Sequence, residues 1–215
     1  MILLDALAWI AANGALFWGT VRDHLVMCAV ALAIGLAIGL PLAILVTGRR
    51  WAAALAINLV NAIRTIPSIA ILAAALPLLG IGFVPSVVAL VVLALPPILL
   101  NAYVGLRDVD PDVIDAARGM GMREREILTR VRLPLAAPAM FAGTRTAAVQ
   151  VLSGATLASF IGGGGLGDFV TSGIAMMDVS RLFVGAVPIA ALALLTEFGL
   201  AWAERRLFGE RLETA

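Results

Sequence analysis

Long apolar runs broken by short clusters of charge organise this 215-residue chain. Five runs reach the roughly 20 residues that carry an α-helix across a bilayer. They cover about 24–47, 51–76, 83–106, 135–161 and 182–203. The first 23 residues are also apolar, but they contain Asp5 and Asn13, with Trp9 and Trp18 placed as in an aromatic belt. They predict an interfacial or elbow helix, with a sixth span as the alternative. The pattern predicts an all-α membrane protein, a polytopic bundle of about five transmembrane helices. It forms a single domain over 1–215, with a charged loop at 107–134 and a tail at 204–215.

Helix breakers and small residues refine this pattern. Pro67 interrupts the second span and Pro96-Pro97 the third. Freed backbone groups cannot face lipid, so these breaks should be buried in protein or line a cavity. Gly35 and Gly39 form a G-x-x-x-G stripe, suited to close helix contact, although ordinary glycine richness of a membrane helix accounts for it equally well.

Composition agrees with a membrane protein. With 62% hydrophobic residues and a mean hydropathy of +1.05, the chain is too apolar for a soluble domain. The lone cysteine, Cys28, lies in an apolar run, which excludes a disulfide framework and a zinc site; helix packing is its expected role. The N-terminus has no basic segment ahead of its apolar stretch, so no cleaved signal peptide is expected. One histidine and one cysteine also leave no Cys-His pair and no H-E-x-x-H; G-x-S-x-G is absent, and no phosphate-binding loop is present. The chain is not expected to be an enzyme, and no metal site is expected.

All fifteen basic residues are arginine, and their placement orients the bundle. With the 107–134 loop in the cytoplasm, Arg49, Arg50, six loop arginines, Arg205, Arg206 and Arg211 fall inside, eleven of the fifteen. Only Arg22 and Arg181 fall outside, while Arg64 and Arg145 lie within spans. The positive-inside rule therefore places the N-terminus outside and the C-terminus in the cytoplasm.

The loop carries the most specific signal. Twelve of the residues from Arg107 to Pro134 are charged, so the segment cannot lie in lipid. Asp110 is a suitable N-cap, Pro111 suits the first helical position, and Asp112 favours the positive helix end. A short helix over 113–118 follows, with Ala116 and Ala117 as a small, closely approachable face. Gly119 and Gly121 can stop it in the left-handed conformation, and a second helix over about 123–130 leads to Leu133-Pro134.

The spacing Asp115-Ala116-Ala117-x3-Gly121-x9-Val131-Arg132-Leu133-Pro134 resembles the "EAA" loop (E-A-A-x3-G-x9-I-x-L-P) of the membrane subunits of binding-protein-dependent ABC importers. Asp115 replaces the usual Glu and Val131 the usual Ile. A generic solvated loop has no reason to meet these positional constraints. The resemblance implies the type I importer permease fold. It also implies that the loop helix docks on a cytoplasmic ATPase through Asp115, Ala116, Ala117, Gly119, Gly121, Leu133 and Pro134. RTIPSIAIL, LPLLGIGFVPSVVAL, DAARGMGM, RLPLAAPAMFAGTRTA and ATLASFIGGGGLGDF extend it to the osmoprotectant permeases, which import glycine betaine, carnitine and choline. Methionine permeases share GGGGLGD but match the RTIPS and GMGM segments less well, and a methionine or other amino-acid importer is the alternative. From another class, a secondary transporter or channel would need no docking helix.

The implied partners are an ABC ATPase dimer that binds ATP and magnesium, a second permease subunit (homo- or heterodimer) and an extracytoplasmic binding protein. The implied location is the prokaryotic inner or plasma membrane, and no cofactor belongs to this chain itself. No aromatic cage for an ammonium group is evident, since only 6% of residues are aromatic. Arg64, Pro67, Arg145 and Glu197 are the candidate intramembrane residues. Pairing of one or both arginines with Glu197 is expected, with a structural ion pair or snorkelling to the interface favoured over a substrate role. His24 is expected at the interface, and Gly162–Gly165 with Gly167 as a flexible turn or re-entrant segment at the outer mouth.

Overall fold

The computed structural model describes residues 2–212, and among them it contains helices and turns but no strand. The helices are α1 (Ile2–Ala12), α2 (Gly14–Thr47), α3 (Arg50–Thr65), α4 (Ser68–Leu79), α5 (Phe83–Arg107), α6 (Pro111–Gly119), α7 (Glu124–Ile127), α8 (Leu133–Gly154), α9 (Gly167–Ala175) and α10 (Val179–Leu212). Three of them, α2, α5 and α10, are long and apolar enough to cross a membrane, and α3 with α4 counts as a fourth if the bent pair is one span. The expected fifth, α8, is long enough, but Thr144, Arg145, Thr146, Gln150 and Ser153 lower its hydropathy. It packs instead along α5, with α2 and α10 also against it.

Several boundaries differ from expectation. Residues 14–23 belong to α2, whose 34 residues form one continuous helix, so the N-terminal helix is only the 11 residues of α1. At 1.5 Å per residue, α1 spans roughly 16 Å, too short for a sixth span. It packs against α10, and Trp9 meets the Phe169 ring at 5.2 Å instead of standing free at an interface. The span expected to reach 161 ends at Gly154, and a 3-10 turn occupies Leu157–Ile161. α10 carries the 204–215 tail as helix through Leu212; positions 213–215 and Met1 lie outside the described residues.

Pro67 breaks the second span, with α3 and α4 diverging by 97°. Pro96 and Pro97, in contrast, sit within an uninterrupted α5 and are buried. The Asn101 amide donates to the Pro97 carbonyl at 2.8 Å, and the surrounding helices hold the segment straight enough to continue.

Small residues bring the helices together. Ala31 of α2, Ala94 of α5 and Ala147 of α8 are fully buried in one core with Met27, Leu90, Ile98 and Val151. A Cβ on Gly35 would stand 3.0 Å from the Ala94 methyl, and one on Gly39 2.7 Å from Ile98 Cγ2. The G-x-x-x-G stripe is thus a true contact, the seat of α2 on α5. Gly105 and Gly143 serve the α5–α8 contact alike: Cβ atoms there would lie 2.7 Å from the Ala139 Cβ and from the Pro97 carbonyl, respectively.

Candidate coupling loop and intramembrane charges

The 107–134 segment builds a small structure with its own core. The Asp110 carboxylate accepts from the Asp112 backbone N–H at 2.9 Å, capping α6 behind Pro111. At the other end, Met122 N–H reaches the Ala117 carbonyl at 3.2 Å and Gly121 N–H the Arg118 carbonyl at 2.9 Å. This is a Schellman closure with Gly121 at φ 81° as its left-handed residue. Gly119 is the last residue of α6 and takes no positive φ, so of the two predicted stop glycines only Gly121 performs that role.

Ile114 and Ala117 face inward, packing with Val109, Ile127, Met122 and Val131. Burying the two isoleucine side chains contributes about 1.5–3 kcal/mol each, which fixes the turn against the rest of the loop. Ala116 and Ala117 therefore do not share a face, because Ala117 is 2% exposed and Ala116 points to solvent. The outward surface of α6 carries Val113, Asp115, Ala116 and Met120, the last 77% exposed.

The predicted second loop helix is shorter than expected. Glu126 accepts from the Arg123 backbone N–H at 2.9 Å and starts α7, but α-geometry ends at Ile127. A π-turn over Leu128–Arg132 follows and runs straight into α8, with Leu133 N–H bonded to the Leu128 carbonyl. Pro134 explains the change in ladder: it has no N–H for the carbonyl four residues earlier, and widening to five-residue bonds just ahead of it absorbs the mismatch. Leu133 and Pro134 thereby make the loop continuous with a core helix.

Arg118 ties the two halves of the loop, donating to Glu124 at 2.9 Å and to Asp115 at 3.2 Å. The Arg118 hydrogen bond, then its charge, holds the Glu124 carboxyl below its usual range. Both side chains are well exposed, so the pair sets geometry more than stability. Asp115 remains 72% exposed despite its contact.

The charges expected within the spans separate. Arg145 bridges two carboxylates of α10, Glu197 at 3.5 Å and Glu204 at 2.6 Å. Glu204, at 12% side-chain exposure the more enclosed partner, was not singled out by sequence, because it lies beyond the predicted end of the last span. The i, i+7 spacing that places it under Glu197 was the available signal. Arg64 joins neither carboxylate; it is exposed at the end of α3, beside the Pro67 break. Pro67 itself is exposed in the single chain, and its carbonyl accepts from Ala70 and Ile71 as α4 begins.

His24 corrects another expectation. It is fully buried in α2, and its Nε2 lies 3.2 Å from the Leu152 carbonyl. Cys28, one turn on, is buried against Val151, whose carbonyl lies 3.9 Å from Sγ. The glycine run is a packed turn: Cβ atoms on Gly163 and Gly165 would press on Ala158 and His24, at 2.9 and 3.0 Å. Gly162, Gly164 and Gly165 all take positive φ, the conformational reason for the repeat.

Comparisons with known proteins agree with this architecture. The sequence profile of the family described as "binding-protein-dependent transport system inner membrane component" matches residues 35–209. The chain is 40% identical to the choline transport system permease protein OpuBB of Bacillus subtilis, over 93% of this chain and 92% of the relative. It is 37% identical to the glycine betaine/carnitine/choline transport system permease protein OpuCB of Bacillus subtilis, over 96% and 95%. The carnitine transport permease protein OpuCB of Listeria monocytogenes is 40% identical, over 90% and 88%. Among solved structures, an inward-facing form of the MetNI methionine ABC transporter superposes with a TM-score of 0.79 at 24% identity, covering 93% of this chain and 97% of that one. An amino acid ABC transporter crystallised with histidines gives 0.75 at 23%, with the same coverage. These structural likenesses concern the fold alone.

Proposed function

The chain belongs to the family of inner-membrane components of binding-protein-dependent transport systems, and we propose that it is the permease that carries a quaternary ammonium osmoprotectant of the glycine betaine, carnitine or choline class. It is a multi-pass membrane permease of an ABC importer. The observation that carries the substrate reading is near-full-length similarity to relatives named for choline, carnitine and glycine betaine. Membership of a binding-protein-dependent system supports a permease that passes its solute without capturing it. Selection then falls to a separate extracytoplasmic binding protein.

ATP is hydrolysed on a partner ATPase dimer, and this chain holds no cofactor of its own. The outward face of α6, with Asp115 among Val113, Ala116 and Met120, docks on that ATPase. The Gly121 closure and the unbroken run through Leu133-Pro134 into α8 make α6 a handle on the bundle. Closure of the ATPase pair around ATP pulls this handle and alternates the exposure of the path. The single domain carries its loop and C-terminus in the cytoplasm and its N-terminus outside, the arrangement that puts the arginine excess inside. A second permease subunit covers the exposed Pro67 break, because non-helical backbone at membrane depth is tolerated only in protein or along a water-filled cavity.

Two measurements test this. Asp115→Arg should abolish association with the ATPase while membrane insertion persists; undiminished association would count against the docking assignment. Reconstituted with its ATPase and binding protein, the permease should move labelled choline, betaine or carnitine in an ATP-dependent way. Transport of methionine alone would overturn the substrate reading and leave the importer architecture standing.

A further inference from the structure

Several hydroxyl and amide side chains in the spans are satisfied within the chain: Thr47, Thr65, Ser86, Asn101, Thr144 and Thr146 each bond a backbone carbonyl one turn away. The side chains of Asn58, Asn61, Ser68, Gln150, Ser153 and Thr196 have no hydrogen-bond partner among the described residues, and of these Ser68, Gln150 and Ser153 line one cavity. It measures about 380 Å³ and is completed by Leu93, Val149, Gly154 and Leu157.

The cavity stands at membrane depth. At 1.5 Å per residue, Gln150 lies roughly 25 Å above the start of α8, and the Pro67 break that delivers Ser68 lies roughly 22 Å above the start of α3. In lipid, each unsatisfied polar group there would cost several kcal/mol, and all three would be selected against. Plain subunit packing would satisfy the polar atoms, yet it gives no reason for a concave wall of ligand-site volume.

We infer that Ser68, Gln150 and Ser153 line the solute path, and that they contact a quaternary ammonium solute through hydroxyl and amide oxygens. The ligand class rests on the osmoprotectant reading above; the path does not. A tetraalkylated nitrogen has no N–H to donate, so oxygens meet its methyl groups only through partial charge. Such contacts are weak and numerous, which suits passage over capture. The carboxylate of a betaine-type solute accepts in turn from the hydroxyls and the Gln150 amide.

The test uses the full assembly in proteoliposomes, with Cys28→Ala removing the native thiol. Ser68→Cys, Gln150→Cys and Ser153→Cys are each treated with the membrane-impermeant reagent trimethylammonium-ethyl methanethiosulfonate. Leu195→Cys, 69% exposed on the apolar face of α10 and outside the cavity, serves as the control. The cavity cysteines should react and lose at least about tenfold in transport rate, choline or betaine should slow the reaction, and Leu195→Cys should stay unmodified. Replacing a serine hydroxyl by a thiol is nearly isosteric, so S68C and S153C carry the test should Q150C fail to assemble. Cavity cysteines as unreactive as the control, or modified without loss of transport, would overturn the path. Protection by methionine but not by choline or betaine would overturn the ammonium assignment and leave the path in place.

Discussion

His24 on α2 donates from Nε2 to the carbonyl of Leu152 on α8 at 3.2 Å, a bond between residues 128 apart in sequence. The carbonyl is free because α8 tightens at its end: Thr156 N–H turns to Ser153 at 3.3 Å instead of continuing the four-residue ladder. A carbonyl can only accept, so Nε2 carries the proton in this tautomer. One buried imidazole thus closes a helix end next to the packed glycine turn. His24→Leu keeps the volume but orphans the carbonyl, and the expected loss is about 1–3 kcal/mol. Thermal unfolding of the purified permease should show a lower Tm; an unchanged Tm would mean the bond contributes nothing net.

Gly39 and Ile98 make the closest contact of the α2–α5 pair among the G-x-x-x-G positions. Gly39→Val should destabilise by about 1–3 kcal/mol through overpacking. Combining it with Ile98→Ala should recover part of the loss, since the clash is with that side chain. A double variant no more stable than Gly39→Val alone would place the damage elsewhere.

Arg145 satisfies two carboxylates, and its removal leaves Glu204 enclosed without a counter-charge. Arg145→Met should cost about 3 kcal/mol, whereas Arg145→Met with Glu204→Leu should cost much less. Denaturation of both variants in the same detergent decides between this and a substrate role. If the double variant unfolds like the parent but transport collapses, the arginine acts on the solute.

Glu124 should titrate below the ordinary glutamate value because Arg118 hydrogen-bonds its carboxylate. A depressed folded pKa means the contact contributes fully above the unfolded value and is lost as pH falls through the folded one. Carbon-13 titration of glutamate-labelled permease, with Glu124→Gln assigning the signal, should show this. In Arg118→Ala the midpoint should return toward the usual range; a midpoint already there in the parent would remove the bond from the loop's design.

How much of this the sequence carried depends on the range of the interaction involved. The α6 cap, the Gly121 closure and the Pro67 break are local, written in neighbours one to six residues apart, and they were predicted. Ala117 shows the limit: the motif named it, but which way it faces was decided by Ile127 across the loop. Pro96-Pro97 failed as a predicted break because both prolines are buried in the packed core, which supports a backbone that would open in isolation. His24 was assigned to an interface because nothing near it in sequence announces the carbonyl that Leu152 leaves free.

The order of apolar runs determined a helical, multi-pass membrane chain, since hydrophobicity is a property of contiguous residues, and the loop's resemblance to the EAA pattern pointed to an importer permease. Only tertiary structure decided that Arg145 reaches Glu204, that Gly105 and Gly143 seat α5 on α8, and that Ser68, Gln150 and Ser153 share one cavity. Those relationships depend on which faces of separate helices meet, and a periodic pattern fixes a face only up to the choice of its neighbour.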